Sequence, residues 1–150
     1  MAETSKTGGC LCGAVRYTLA ETPKSYGACH CSMCRRWSGG IELGIQTTAD
    51  AISFENNDHI RVFKSSDWAE RAFCDICGSN LYWKLTAPGP HHGMMSLSAG
   101  SLDDLGDLKL DHEVYIDHKP DGHAFAGERT RMTEADIMAM MNPDGAEEAE

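Results

Sequence analysis

Apolar and polar residues alternate in short runs along most of this chain, the period-two signature of half-buried strands. Val15, Tyr17 and Leu19 alternate with Arg16 and Thr18, and Ile41, Leu43 and Ile45 with Glu42, Gly44 and Gln46. Residues 60–63, 69–73, 81–85 and 94–99, and residues 113–117 around Val114 and Ile116, extend the series. Turn signals separate these runs: Gly8-Gly9, residues 21–24 with Pro23, Asn56-Asn57-Asp58, Ser65-Ser66-Asp67, the loop 88–93 and residues 102–106. Short strands between frequent turns predict a mainly β protein. One helix is expected over 133–141. Thr133 and Asp136 resemble a capping box, Ile137, Met138, Met140 and Met141 supply an apolar side, and Asn142-Pro143 stops it.

A length of 150 residues suits one domain with one core. The pattern divides it into a loose N-terminus (1–7), a β domain (8–132), the helix (133–141) and an acidic, disordered tail (142–150). The net charge of -10 is uneven, because residues 134–150 carry six acids and no base. The remainder stands at only -4, so it has no field to attract a polyanion, and nucleic acid is not expected as a partner. No apolar stretch reaches membrane-spanning length, and residues 1–9 lack a basic start followed by an apolar run. No membrane association is expected, and a cytoplasmic location follows by default. Homo-oligomerisation stays open.

The seven cysteines change the picture. In a reducing compartment CxC and CxxC spacings favour metal ligation over disulfides, and an odd total argues against a fully disulfide-bonded framework. Cys10, Cys12, Cys74 and Cys77 make four, the number a closed zinc site requires; Cys29, Cys31 and Cys34 make three, which leaves one coordination position open. Cys10 and Cys12 are expected on one face of a strand over residues 10–19. Cys29 and Cys31 are expected to share a face while His30 points away, with a helical turn over 32–37 bringing Cys34 back. The closed set would join segments some sixty residues apart and add its binding energy to folding. A redox role for Cys74-x-x-Cys77 would call for a strand-to-helix setting, which the pattern lacks.

The triplet is less determined by spacing alone. One of His91, His92, His112, His118 and His123 could close it as a fourth ligand, or the thiols could stay free or oxidise. His91 and His92 could instead act as acid or base from a flexible loop, or be surface bystanders. Arg35 and Arg36 could receive a substrate carboxylate or form a solvated surface pair. The helix methionines read as core or as a subunit contact. Trp37, Trp68 and Trp83 read as packing residues or pocket walls.

The motifs Gly9-Cys10-Leu11-Cys12-Gly13-Ala14-Val15, Cys29-His30-Cys31-Ser32-Met33-Cys34-Arg35 with Ser38-Gly39, and Phe73-Cys74-Asp75-Ile76-Cys77-Gly78-Ser79 together resemble the glutathione-dependent formaldehyde-activating enzyme family, which includes a centromere protein V branch. Ser98-Ala99-Gly100-Ser101-Leu102-Asp103 and, more weakly, His112-Glu113-Val114-Tyr115-Ile116 extend the match to about residue 120. The resemblance implies a β-tent fold of small antiparallel sheets with a short C-terminal helix. It implies a structural zinc on Cys10, Cys12, Cys74 and Cys77 and a second, catalytic-type zinc on Cys29, Cys31 and Cys34, a site that could be only partly occupied. The implied activity is a carbon-sulfur lyase run in reverse, condensing glutathione or a related thiol with formaldehyde or another small aldehyde. Three thiolates neutralise zinc and make it a weak Lewis acid, better suited to holding a fourth thiol than to hydrolysis. The alternative is a non-catalytic, zinc-stabilised binding module whose second site is vestigial or closed.

Overall fold

Most strands form where alternation predicts them, but residues 115–117, expected to continue the last run, instead hold a left-handed Tyr115 (φ 56°) and the start of a 3-10 turn. The computed structural model describes residues 6–142. In chain order the elements are β1 (Thr7–Gly9), β2 (Arg16–Leu19), β3 (Ser25–Cys29), α1 (Ser32–Ser38), β4 (Glu42–Thr48), β5 (Ile52–Phe54), β6 (Ile60–Lys64), β7 (Ala69–Cys74), β8 (Asn80–Leu85), β9 (Met94–Ser98), β10 (Lys109–Val114), β11 (Thr130–Met132) and α2 (Glu134–Met141). Short 3-10 turns lie at Ala49–Ala51, Ala99–Ser101 and Ile116–His118. The protein is mainly β, with one short C-terminal helix. No described helix is long and apolar enough to cross a membrane.

The chain forms two units, one of residues up to Tyr26 with Leu43–Lys109, the other of Gly27–Glu42 with residues from Leu110 onward. In the first unit, β1, β2 and β5 make an antiparallel sheet, with Gly8 opposite Tyr17 and Thr18 opposite Ser53. The strands β4-β9-β8-β7-β6 run antiparallel in that spatial order. Inward-facing positions of these strands build the core: Tyr17, Leu19, Ile45, Ile52, Met95, Leu97, Ala99 and Leu102 pack together. Beside them Cys10, Val15, Ala72, Cys74 and Leu81 form a second cluster, which places two thiols inside an apolar wall. The Tyr17 hydroxyl meets Ser101 Oγ at 2.7 Å, so its one polar atom is satisfied in the core.

The second unit has a different interior. Among its described residues only Gly27, Ala28, His30, Cys34 and Glu113 are buried, so it has almost no aliphatic core. Its strands β10 and β11 pair in parallel, with Glu113 opposite Arg131, which departs from the expected antiparallel arrangement. The long connection 115–129 makes this possible, because parallel neighbours need a crossover of a dozen or more residues. The predicted capping box is present: Thr133 Oγ1 accepts from the Asp136 N–H, and Asp136 Oδ2 from the Thr133 N–H.

Several expectations are corrected. Residues 7–9 are strand, in place of the loose terminus expected at Thr7 and the turn expected at Gly8-Gly9. Residues 10–15 turn instead of extending: the Cys10 N–H bonds to Val15 O, the Gly13 N–H to Cys10 O, and Gly13 lies at φ 84°. No residue of α2 is buried, and Met138 and Met140 are 49% and 58% exposed, because only Ile137 and Met141 share its inward face. Trp68 is exposed as well. The expected tail falls almost wholly on residues 143–150, outside those described.

Candidate functional site

In the first unit two tight turns meet. One carries Cys10 and Cys12. The other follows β7, where Cys74 ends the strand and the Gly78 N–H bonds back to Cys74 O at 2.8 Å. Gly78 lies at φ 79°, in the left-handed region that glycine tolerates at no steric cost, and the chain then enters β8. No helix follows, so the strand-to-helix setting of a redox CxxC is absent. The four sulfurs converge within 4.8 Å of one another and could hold a metal ion. Cys10 Sγ is 3.6 Å from Cys12 Sγ, which is 3.8 Å from Cys74 Sγ.

Backbone N–H groups point at these sulfurs, from Val15 to Cys10 at 3.3 Å and from Ile76 to Cys74 at 3.4 Å. Ser79 ties the turns together. Its hydroxyl lies 3.1 Å from Cys77 Sγ and accepts from the Leu11 N–H at 3.0 Å. The Ser79 hydroxyl and N–H hold the Cys77 thiol down to about 5. Burial opposes ionisation of Cys10, yet the Val15 N–H and the sulfurs of Cys12 and Cys74 lower it. The Ala14 N–H favours a Cys12 thiolate, but desolvation and the neighbouring sulfurs push that thiol up to about 12. The cluster therefore divides its protons unequally, and a bound cation would be needed for all four sulfurs to ionise together.

In the second unit Cys29 ends β3, Cys31 caps α1, and Cys34 lies one turn into that helix, so three sulfurs again converge within 4.8 Å. The Cys31 sulfur accepts from the Cys34 N–H at 3.3 Å, replacing the usual hydroxyl cap. Hydrogen bonds from Cys29 and Cys34 hold Cys31 down to about 2, while Cys29, as donor, is pushed up. No histidine, aspartate or glutamate ligand atom joins this group among the described residues. His91, His92, His112, His118 and His123 are thus not brought into it. His92 Nδ1 instead meets the carbonyls of Thr86 and Ala87 at 3.1 Å, holding its own loop. Arg35 and Arg36 lie exposed on α1, without a side-chain partner among the described residues.

A third group, Asp117, His118 and Glu134, lies at the surface. It serves the helix end: the Glu134 N–H donates to Asp117 Oδ1 at 3.0 Å, and His118 Nε2 lies 3.0 Å from Glu134 Oε2.

Sequence reasoning missed the surroundings of His30. That ring is not part of the thiol group, and its Nε2 meets Glu113 Oε1 at 2.8 Å with both side chains at most 2% exposed. Glu113 Oε2 accepts from Arg129 Nη1 at 2.8 Å and from Arg131 Nε at 3.1 Å. Burial opposes the Glu113 carboxylate, but hydrogen bonds from His30, Arg129 and Arg131 outweigh it and lower its pKa. Nothing in the sequence signals this: Glu113 alternates with Val114 and Ile116 and so reads as a solvent-facing position.

Comparison with known proteins agrees with this layout. The chain is 32% identical over 133 residues to a Schizosaccharomyces pombe protein named as an uncharacterized lyase, covering 87% of this chain and 93% of that one. The crystal structure of a Rhodobacter sphaeroides protein superposes with a TM-score of 0.53 at 19% identity, covering 69% of this chain and 98% of the other, which shows a shared fold. The family model described as glutathione-dependent formaldehyde-activating enzyme matches residues 5–118, a span that includes both cysteine clusters. This chain belongs to the glutathione-dependent formaldehyde-activating enzyme family.

Proposed function

We propose that this protein is a zinc-dependent enzyme of carbon-sulfur lyase type, condensing glutathione or a related small thiol with formaldehyde or another small aldehyde. The observation that carries this reading is the convergence of Cys29, Cys31 and Cys34 with no fourth ligand beside them among the described residues. The donor set fits zinc. A tetrahedron of sulfurs about 2.3 Å from a central zinc has edges of about 3.8 Å, and the first cluster shows 3.6 and 3.8 Å. On this reading Cys10, Cys12, Cys74 and Cys77 hold a structural ion within a β-tent fold, and the protein works in the cytoplasm.

Zinc held by three thiolates would offer a position for a fourth thiol and favour that thiol's ionised form. The chain's own part is to hold the three sulfurs together and to direct the Cys34 N–H at Cys31. Arg35 and Arg36, exposed directly after the triplet, supply two cations for a carboxylate of the thiol substrate. In the overall addition a sulfur lone pair forms the carbon-sulfur bond, the carbonyl π pair moves to oxygen, and that oxygen takes up the proton the thiol gave. Nothing is oxidised or lost.

A second reading, as a zinc-stabilised binding module, rests on Leu11 and Ile76, which stand 89% and 58% exposed on the two turns of the four-cysteine cluster. Exchange NMR of formaldehyde with glutathione separates the two, comparing zinc-loaded protein with its Cys34→Ser variant and with buffer. Acceleration that Cys34→Ser abolishes supports the enzyme. A rate equal to buffer rejects it for these substrates and favours the module.

A further inference from the structure

Among its described residues, the unit that carries the three thiols has almost no aliphatic core to hold them. At its centre lie His30, wedged between Cys29 and Cys31, and Glu113, 3% and 2% exposed. Along an extended segment neighbouring side chains point to opposite sides, so whatever fixes the His30 ring also fixes the rotation of the segment presenting the two flanking sulfurs. His30 is held at two points, both in β10: its backbone N–H bonds to Val114 O at 3.1 Å, and its ring to Glu113 at 2.8 Å. Because Glu113 is an acceptor, the ring nitrogen facing it must be the donor, which places a proton on Nε2. Among the described residues His30 Nδ1 has no hydrogen-bond partner, so the ring's one directional tether is Glu113, with the His123 and Phe125 ring centroids 6.1 and 6.4 Å away as packing neighbours. Glu113 is fixed in turn from its other oxygen by Arg129 and Arg131.

A buried ionic group of this kind is a poor source of stability compared with apolar packing, and its strength lies in specifying one geometry. We propose that Glu113 and His30 are positioning residues for the three-cysteine centre: the Arg129–Glu113–His30 chain presets the Cys29 and Cys31 sulfurs to receive their metal. This rests on the reading of that centre as a metal site in the proposed function. It adds that metal affinity there is governed by residues that touch neither metal nor substrate.

Cobalt(II) titration of the full chain tests this, since sulfur-to-cobalt charge-transfer bands report thiolate ligation, and glutathione addition distinguishes a centre with a free position from a closed one. His30→Phe keeps the ring volume and removes the donor. It should lower affinity at the glutathione-responsive centre by about 10–100-fold, the cost typical of losing an outer hydrogen-bond partner. The four-thiolate bands should be unchanged. His30→Gln, which restores a side-chain N–H donor, should recover most of the loss. Parent-like affinity in His30→Phe overturns the proposal, as does an equal loss at both centres.

Long-range 1H–15N spectra supply a second readout that does not depend on the variants binding metal. The parent should show His30 with its proton on Nε2, and Glu113→Gln should shift it toward Nδ1–H. An Nδ1–H ring in the parent overturns the proposal. If cobalt binds at three thiolates but glutathione leaves its spectrum untouched, the proposed function fails, while the His30→Phe affinity still decides the positioning role.

Discussion

Replacing Cys77 by serine removes one sulfur from the four-cysteine cluster while costing little packing, since that side chain is only half-buried. The cluster brings Cys12 and Cys74 to 3.8 Å across a separation of 62 residues. A cross-link closing a loop of that length withdraws about 4 kcal/mol of conformational freedom from the unfolded chain. That is a large share of the roughly 5–15 kcal/mol by which domains are stable. The same relation applied to residues 29–34 gives only about 2 kcal/mol. Zinc-loaded Cys77→Ser should therefore melt about 8–16 °C below the parent, and Cys34→Ser about 4–8 °C below it or less. Thermal and urea unfolding at saturating zinc, repeated with a chelator, measure both. Chelation should lower the parent toward Cys77→Ser and change that variant little further. If Cys34→Ser falls as far as Cys77→Ser, the division into a fold-holding site and a free site is wrong.

Three further outcomes follow from individual contacts. A β-carbon added at Gly27 would press well inside contact distance of the His112 ring, so Gly27→Ala should cost about 1–3 kcal/mol in urea unfolding; an unchanged midpoint would show that the ring moves aside freely. Hydrogen bonds from Arg16 and Thr7 hold the Asp103 carboxyl at about 2, below its ordinary 3.8, so the folded state binds its proton later than the unfolded one does. Its stabilisation is present above pH 3.8 and fades toward pH 2, so Asp103→Asn should flatten acid unfolding across that window; an identical pH profile in the variant would contradict this. Arg35→Gln and Arg36→Gln should raise KM for glutathione by up to about 10-fold each with kcat and melting unchanged, and unaltered KM in both would remove the arginines from the substrate site.

Both clusters were legible because thiol spacing is a local property: Cys74-x-x-Cys77-Gly78 and Cys29-x-Cys31-x-x-Cys34 each dictate a turn that gathers sulfurs. Alternation located most strands for the same reason. It failed at residues 10–15, where an extended reading of Cys-x-Cys competed with the glycine-assisted turn that forms. It also failed at β11, whose Thr130-Arg131-Met132 carries no alternation and is strand only through its parallel partner. Glu113 was out of reach because its meaning depends on a histidine 83 residues away. A carboxylate in a strand ordinarily reads as its solvent face, and three-dimensional neighbours alone reverse that.

The chain leaves its first unit after Tyr26, re-enters it at Leu43 and leaves again after Lys109. On a ribosome this connectivity imposes an order. Cys29, Cys31 and Cys34 emerge together and can capture an ion early, before Glu113 or the arginines behind it exist. Cys10 and Cys12 emerge sooner but must wait for Cys77 before their site can close. If both clusters hold metal, as proposed, the nascent chain passes through a stage in which the thiols at its front end are unguarded, and the supply of metal at that moment would decide between ligation and oxidation.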